Sequence, residues 1–192
     1  MKKIILLTCL AGALMAESSF YVGFDLGKAN NTDKHTTKDI SLKNDNSYSD
    51  SKIKLGIQAD ETTDFQFTFS KMTYDDAVLR ASTGSKLYEI GLDVIKKFEV
   101  TSSLSPFIKL GVGYGKMDTL SSSYGDVHEL STNVGIGLSY KLIEHVYAIA
   151  GVDYIYRHWN DISINQTPPA TSVTEQTRGS AIKPYFGLNY KF

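Results

Sequence analysis

The 192-residue chain is short of cysteine, with one, and of proline, with 4, and it has no surplus of either charge. Twenty basic against 21 acidic residues leave a formal net charge of −1, which argues against a general nucleic-acid binder. Long apolar runs are missing too. Past the first residues none approaches the roughly 18 residues of a spanning helix, and no segment shows convincing helical periodicity. A chain that is 42% hydrophobic and 11% aromatic is nonetheless too apolar to be wholly disordered.

What is present begins with a leader. Met1-Lys2-Lys3 precedes the apolar run Ile4 to Met15 and then Ala16, the layout of a secretory signal peptide cut after Ala16. A lipoprotein reading of Leu6-Leu7-Thr8-Cys9 is the poorer alternative, because Thr8 stands where a small residue is needed. The expected division is therefore a signal peptide over 1–16 and one domain over 17–192, with a mature formal charge of −3. Cys9 leaves with the leader. An exported chain without cysteine has no disulfide, thiolate metal site or cysteine nucleophile, and its stability must come from architecture.

The remainder alternates with period 2. Phe20, Val22, Phe24 and Leu26 interleave with Tyr21, Gly23, Asp25 and Gly27. The same rhythm recurs over 52–59, 65–70, 87–94, 108–115, 129–140, 146–157 and 182–192. Alternation at 180° per residue predicts strands with two unlike faces, here eight of them. Short turns at 60–64, 98–104 and 141–145 alternate with longer polar segments at 29–50, 74–86, 117–128 and 158–180. The expected fold is all-β: an eight-stranded antiparallel up-and-down transmembrane barrel with short periplasmic turns and long extracellular loops.

Volume decides which face points out. An eight-stranded barrel has an interior just wide enough for side chains to fill. Eleven of the 15 glycines (23, 27, 56, 91, 111, 113, 115, 135, 137, 151 and 187) fall on the polar face. Inside a narrow barrel they make room for the charged side chains beside them; on a solvated outer face they have no purpose. The apolar face carries no charged residue in these eight stretches. Its aromatics gather toward strand ends at Phe20, Phe65, Tyr88, Tyr114, Tyr140, Tyr154, Tyr156, Tyr190 and Phe192, as interfacial girdles do.

Taken as a whole, the mature chain resembles the small eight-stranded outer-membrane barrels, the OmpA-like transmembrane domains and opacity-type surface proteins. The segments that carry the likeness are Ser105 to Gly115, Gly151 to Arg157 and Pro184 to Phe192. The resemblance implies a location in the bacterial outer membrane, as the one-domain version of the family without a peptidoglycan-binding domain. It also implies an assembly signal in the last strand, Gly187, Tyr190 and the terminal Phe192, read by the barrel-assembly machinery.

The polar face sets Asp25, Glu89, Asp93, Glu129 and Asp153 against Lys52, Lys54, Lys109, Arg157, Lys183 and Lys191. Near balance suggests paired charges that plug the lumen, since an unpaired charge there is costly. A gate whose pairs exchange to pass ions, making a narrow porin-like channel, is the alternative. Outer-membrane lipid A deacylases resemble the region of His158 but use a serine two residues on; here that residue is Asn160, so His158 with Trp159 is expected to be a rim anchor. A lipid-modifying enzyme is the remote alternative. His35, His128 and His145 are scattered without metal-ligand spacing, and neither cofactor nor metal is expected. The expected protein is non-enzymatic, structural or adhesive. Its partners would be outer-membrane lipid, lipopolysaccharide and a host or surface ligand held by loops 29–50 and 158–180.

Overall fold

The computed structural model describes residues 19–36, 41–76, 85–118, 127–160, 162–165 and 172–192, without the side chains of 118, 162–165 and 172–175. The proposed leader lies outside them. The strands are β1 (Ser19–Thr36), β2 (Ser41–Gln58), β3 (Thr63–Tyr74), β4 (Lys86–Lys97), β5 (Leu104–Asp118), β6 (Val127–Ile143), β7 (Val146–Trp159), β8 (Ile162–Asn165) and β9 (Ser172–Lys191). Strands β1 to β7 and β9 pair antiparallel in sequence order, and β9 returns to pair with β1, closing an eight-stranded barrel. The ninth strand, which the sequence reading did not anticipate, is the short β8; it pairs with β9 alone, from Ile162↔Glu175 to Asn165↔Ser172.

Three tight connections, 59–62, 98–103 and 144–145, lie at one end, together with Ser19 and Lys191. In the first, the Asp60 carboxylate accepts hydrogen bonds from the Thr62 hydroxyl at 2.8 Å and backbone N–H at 2.7 Å. Those bonds favour the ionised form and pull Asp60 down to about 2. This is called the turn end below, and its opposite the loop end.

The faces are distributed as hydrocarbon requires. Around the barrel Phe24, Leu55, Phe67, Leu92, Leu110, Ile136, Val152 and Phe186 point outward and are 42–65% exposed. Asp25, Lys54, Gln66, Asp93, Lys109, Asp153 and Lys183 point inward and are at most 6% exposed. In water that arrangement would expose a continuous apolar band and bury a set of charges, which is unfavourable on both counts. Closure supplies the other requirement of a lipid-facing strand, a partner for its backbone groups on both sides.

Two predicted loops are largely strand. The ladder between β1 and β2 runs unbroken from Ser19↔Gln58 to Thr36↔Ser41, so of the segment 29–50 only 37–40 separates them. Likewise β7 continues to Trp159, and β9 starts at Ser172 and pairs with β1 from Gln176↔Thr36 to Ile182↔Asn30, which takes up most of 158–180. These stretches lack the apolar alternation that marks a strand, but they alternate in polar residues. Asn31, Asp33 and Asn46 turn inward and hydrogen-bond one another at 2.8–2.9 Å, while Thr32 Oγ1 donates to Asp45 at 2.7 Å outside. Polar cross-strand pairs replace hydrophobic ones. The other two long segments fall as expected: β3 ends at Tyr74 and β4 starts at Lys86, and β5 ends at Asp118 and β6 starts at Val127.

Candidate functional site: the barrel lumen

Side chains fill the lumen in three layers. Nearest the turn end, Ile95, Phe107, Ile149 and Tyr185 form a small apolar cluster with Tyr147 against it. The middle layer is ionic. Lys54 bonds Asp25, Lys109 Nζ lies 2.8 Å from Asp153, and Lys183 Nζ lies 2.5 Å from Asp50 and 3.9 Å from Asp153. Asp93 accepts from Gln66 at 3.0 Å and Asn133 at 3.1 Å, and Glu89 accepts from Ser131 at 2.9 Å. Lys52 is buried on the same face; it stands opposite Asp25 in the ladder, yet Asp25 pairs with Lys54. Lys191 is only partly buried, at the mouth, and donates to Gln58 at 2.5 Å.

Arg157 joins the middle layer to the upper one. Its Nε lies 2.7 Å from Glu129 Oε2, an ion pair whose N–H is not aimed along the contact. One terminal nitrogen donates to Tyr48 Oη at 2.9 Å, the other approaches Met72 Sδ at 3.1 Å, and the guanidinium sits 4.9 Å from the centre of the Tyr48 ring. Above it lies an apolar cluster that includes Tyr48, Met72, Tyr74, Leu87, Met117, Val127 and Trp159, all buried.

Glycine is what lets these side chains coexist. The large lumen groups face glycine across the ladder: Asp93↔Gly111, Glu89↔Gly115↔Glu129, Lys109↔Gly135↔Asp153, Lys54↔Gly23, Asp25↔Gly187 and Arg157↔Gly179. In the turn-end layer Phe107 and Tyr185 are separated by Gly137 and Gly151 in the same row. A Cβ on Gly111 would overlap the Asp93 carboxylate and come within 2.5 Å of Asn133 Nδ2. Gly111→Val is therefore expected to lose about 3 kcal/mol through overpacking, read as a lower urea midpoint of the folded barrel; an unchanged midpoint would mean that the lumen relaxes freely.

Among the described residues the space left inside is small. The cavity between the turn-end and ionic layers, lined by Tyr21, Asp25, Lys54, Phe107 and Tyr185, has a volume of about 20 Å³. That holds one water and no file of them. A vestibule of about 180 Å³ at the turn end, lined by Gln58, Glu61, Lys97 and Glu99, stops at Tyr21 and Ser139.

No protein-family model and no curated protein matches the sequence, but solved structures do. Neisserial surface protein A (NspA), from Neisseria, superimposes with a TM-score of 0.60 at 23% identity, over 91% of this chain and 99% of that one. The outer membrane protein OprG of Pseudomonas aeruginosa gives 0.60 at 15% identity, over 91% and 96%. The outer membrane protein AlkL, solved in lipid bilayers, gives 0.58 at 14% identity, over 91% and 90%. The chain has the fold of the small eight-stranded outer-membrane barrels. At these identities the likeness is one of architecture.

Several lumen residues of this outer-membrane-type barrel escape a reading of the sequence. Asp50, the partner of Lys183, lies in the stretch taken for a loop, and Asp64, 2.6 Å from Lys97, lies in one taken for a turn. Met72, Tyr74, Met117 and Val127 continue the inward parity of their strands, which is the available signal, and they join Leu87, already on the inward face of 87–94, in a layer that is apolar where a polar interior is expected. Trp159 is not a rim anchor. Two residues beyond Arg157 on a strand that continues, it has the same parity and points inward, fully buried; His158 alone is exposed at the rim. Of the C-terminal residues, Gly187 faces Asp25 inside, Tyr190 is exposed with Phe192 edge-on to it at 5.1 Å, and the Phe192 N–H donates to Phe20 O at 2.9 Å. Outside the barrel at the loop end, the Ser47 hydroxyl at 2.7 Å and Lys28 Nζ at 3.2 Å hold the Asp75 carboxyl below the usual carboxylate range.

Proposed function

We propose that this is an exported integral outer-membrane protein, a sealed and non-enzymatic barrel that meets its partners at the cell surface. The turn end, with Ser19 and Phe192, faces the periplasm, and the barrel-assembly machinery reads Gly187, Tyr190 and Phe192. The observation that supports this reading is the filled lumen: an apolar layer, an ionic layer and a second apolar layer, with a space of about 20 Å³ between the first two. Passing an ion would require breaking several buried pairs together, each costly to separate. Catalysis finds no support at His158. Asn160 holds the place of a nucleophile, and its side-chain oxygen already accepts the His128 N–H at 2.7 Å.

Surface contact is favoured over a purely structural role by the unequal strand lengths. β1 and β2 have 18 residues and β9 has 20, against 12 in β3 and in β4. The wall thus continues past the apolar band as a hydrogen-bonded β8–β9–β1–β2 edge, which hydrocarbon anchoring alone does not require. Planar-bilayer recording tests the sealed lumen. The expected record is flat for the native protein and for Lys109→Ala and Asp153→Ala; reproducible single-channel steps, altered by either substitution, would replace the plug with a channel.

A further inference from the structure

The geometry points to a site for one phosphate-bearing lipid on the outer wall of β3–β6, its acyl chain in an apolar groove and its phosphate among the lysines at the groove's loop end. The inference rests on the membrane reading above and adds a specific occupant. The groove has a volume of about 250 Å³ and is lined by Phe67, Ile90, Leu92, Val112, Tyr114 and Leu130, with the paired backbones of Gly91 and Gly113 between them. It offers an occupant nothing polar, so it suits hydrocarbon rather than a free anion.

The residues next in line toward the loop end change character together. On β5 Tyr114 is followed at the next outward position by Lys116, on β6 Leu130 is preceded by His128, and on β3 Phe67 and Phe69 give way to Lys71. The ladder brings these onto one patch: Lys71 stands opposite Tyr88, Tyr88 opposite Lys116, and Lys116 opposite His128. Two rings are held in place around them. Tyr88 stacks on Phe69 at 6.4 Å, and His128 stacks on Tyr114 at 5.6 Å with a 3.0 Å bond from Tyr114 Oη to Nδ1. Lys86, next on β4, stands opposite Asp118 in the ladder. Lys71 and Lys116 flank Tyr88 from the two strands beside it, and a phosphate lodged there would accept hydrogen bonds from both. At the turn end of the same four strands the outward face carries Val94, Lys96, Ile108 and Tyr140, one cation rather than a cluster. The wall therefore has the polarity of a single amphiphile: apolar below, cationic at one end.

Native mass spectrometry of the intact barrel in an uncharged detergent, titrated with diphosphoryl lipid A, tests the site. The native protein is expected to retain one lipid. Lys71→Gln with Lys116→Gln should weaken retention about tenfold or more by removing two headgroup cations. Val112→Trp, which fills the groove and leaves every charge in place, should weaken it comparably. Lys34→Gln with Lys43→Gln, a facing outward pair on β1 and β2 away from the groove, should leave it unchanged. Equal loss in that control pair, or full retention by Val112→Trp, would overturn the site in favour of diffuse charge attraction. Heat-modifiable gel migration verifies that each variant is folded. Co-flotation with lipid vesicles separates the two levels: a barrel that floats but retains no lipid overturns the site alone, and one that does not float overturns the membrane reading as well.

Discussion

Arg157→Ala is expected to destabilise the barrel by about 3–5 kcal/mol, the range for removing one partner of a buried ion pair. The arginine is 1% exposed, and with it go the charge beside Glu129, the bond to Tyr48 Oη and the contact with Met72. What remains is an uncompensated carboxylate, with Glu89 two strands away in the same row, across Gly115. Most of the expected cost is the stranded charge rather than the lost bond, so Arg157→Met combined with Glu129→Gln should be markedly less damaging than Arg157→Ala alone. Trp159, the one tryptophan in the sequence, belongs to the buried cluster above Arg157 and reports the transition by fluorescence during urea unfolding in lipid vesicles. A loss below about 1 kcal/mol for Arg157→Ala, the scale of an exposed ion pair, would mean that water reaches the pair and that the lumen is not sealed.

The second large effect is on the opposite face. Leu110 points outward, 60% exposed, in mid-band between Val94 on β4 and Val134 on β6. In a water-soluble barrel, replacing so exposed a leucine with arginine would change stability by no more than about 0.5 kcal/mol. Facing hydrocarbon, Leu110→Arg is expected to cost about 2–4 kcal/mol, measured by the same unfolding assay in vesicles. The two outcomes are far enough apart that one variant separates lipid from water outside the barrel, and a neutral result would remove the basis for placing the protein in a membrane.

The barrel was legible in the sequence because two independent patterns agree. Apolar alternation marks strands such as 87–94 and 108–115, and glycines at 111, 113, 115, 135 and 137 mark the crowded side of them. Where apolar alternation stops, so does legibility. Asn31, Asp33 and Asn46 are as regularly inward as Asp25, but a strand whose two faces are both polar has the composition of a loop, and only its neighbours show otherwise. The charged lumen residues could be named, whereas their pairing could not. Asp25 stands opposite Lys52 and pairs with Lys54; Lys183 stands opposite Asp153 but lies closer to Asp50, two strands away through β1. Partner choice depends on how long side chains lean across the axis, and parity does not encode that. The upper apolar layer is hidden for a related reason: Leu87 has the inward parity of 87–94, but Met72 lies past the alternation of 65–70, and Tyr74, Met117 and Val127 fall in segments with the composition of loops.

The facing of bulky lumen groups by glycine also bears on how such a barrel finds its correct alignment. If one strand slides past its neighbour by two residues, every side chain keeps its side and the greasy exterior is undisturbed, so hydrocarbon cannot distinguish the slipped arrangement from the native one. The interior can. With β5 displaced two positions against β4, Asp93 would meet Lys109 or Gly113, and Glu89 would meet Gly113 or Met117, in place of the single vacancy each now occupies. Native packing survives only where each of these bulky groups keeps a glycine on one side. Bilayer insertion thus selects the face, and proofreading of strand alignment falls to the hydrogen atoms that stand in for side chains along the axis.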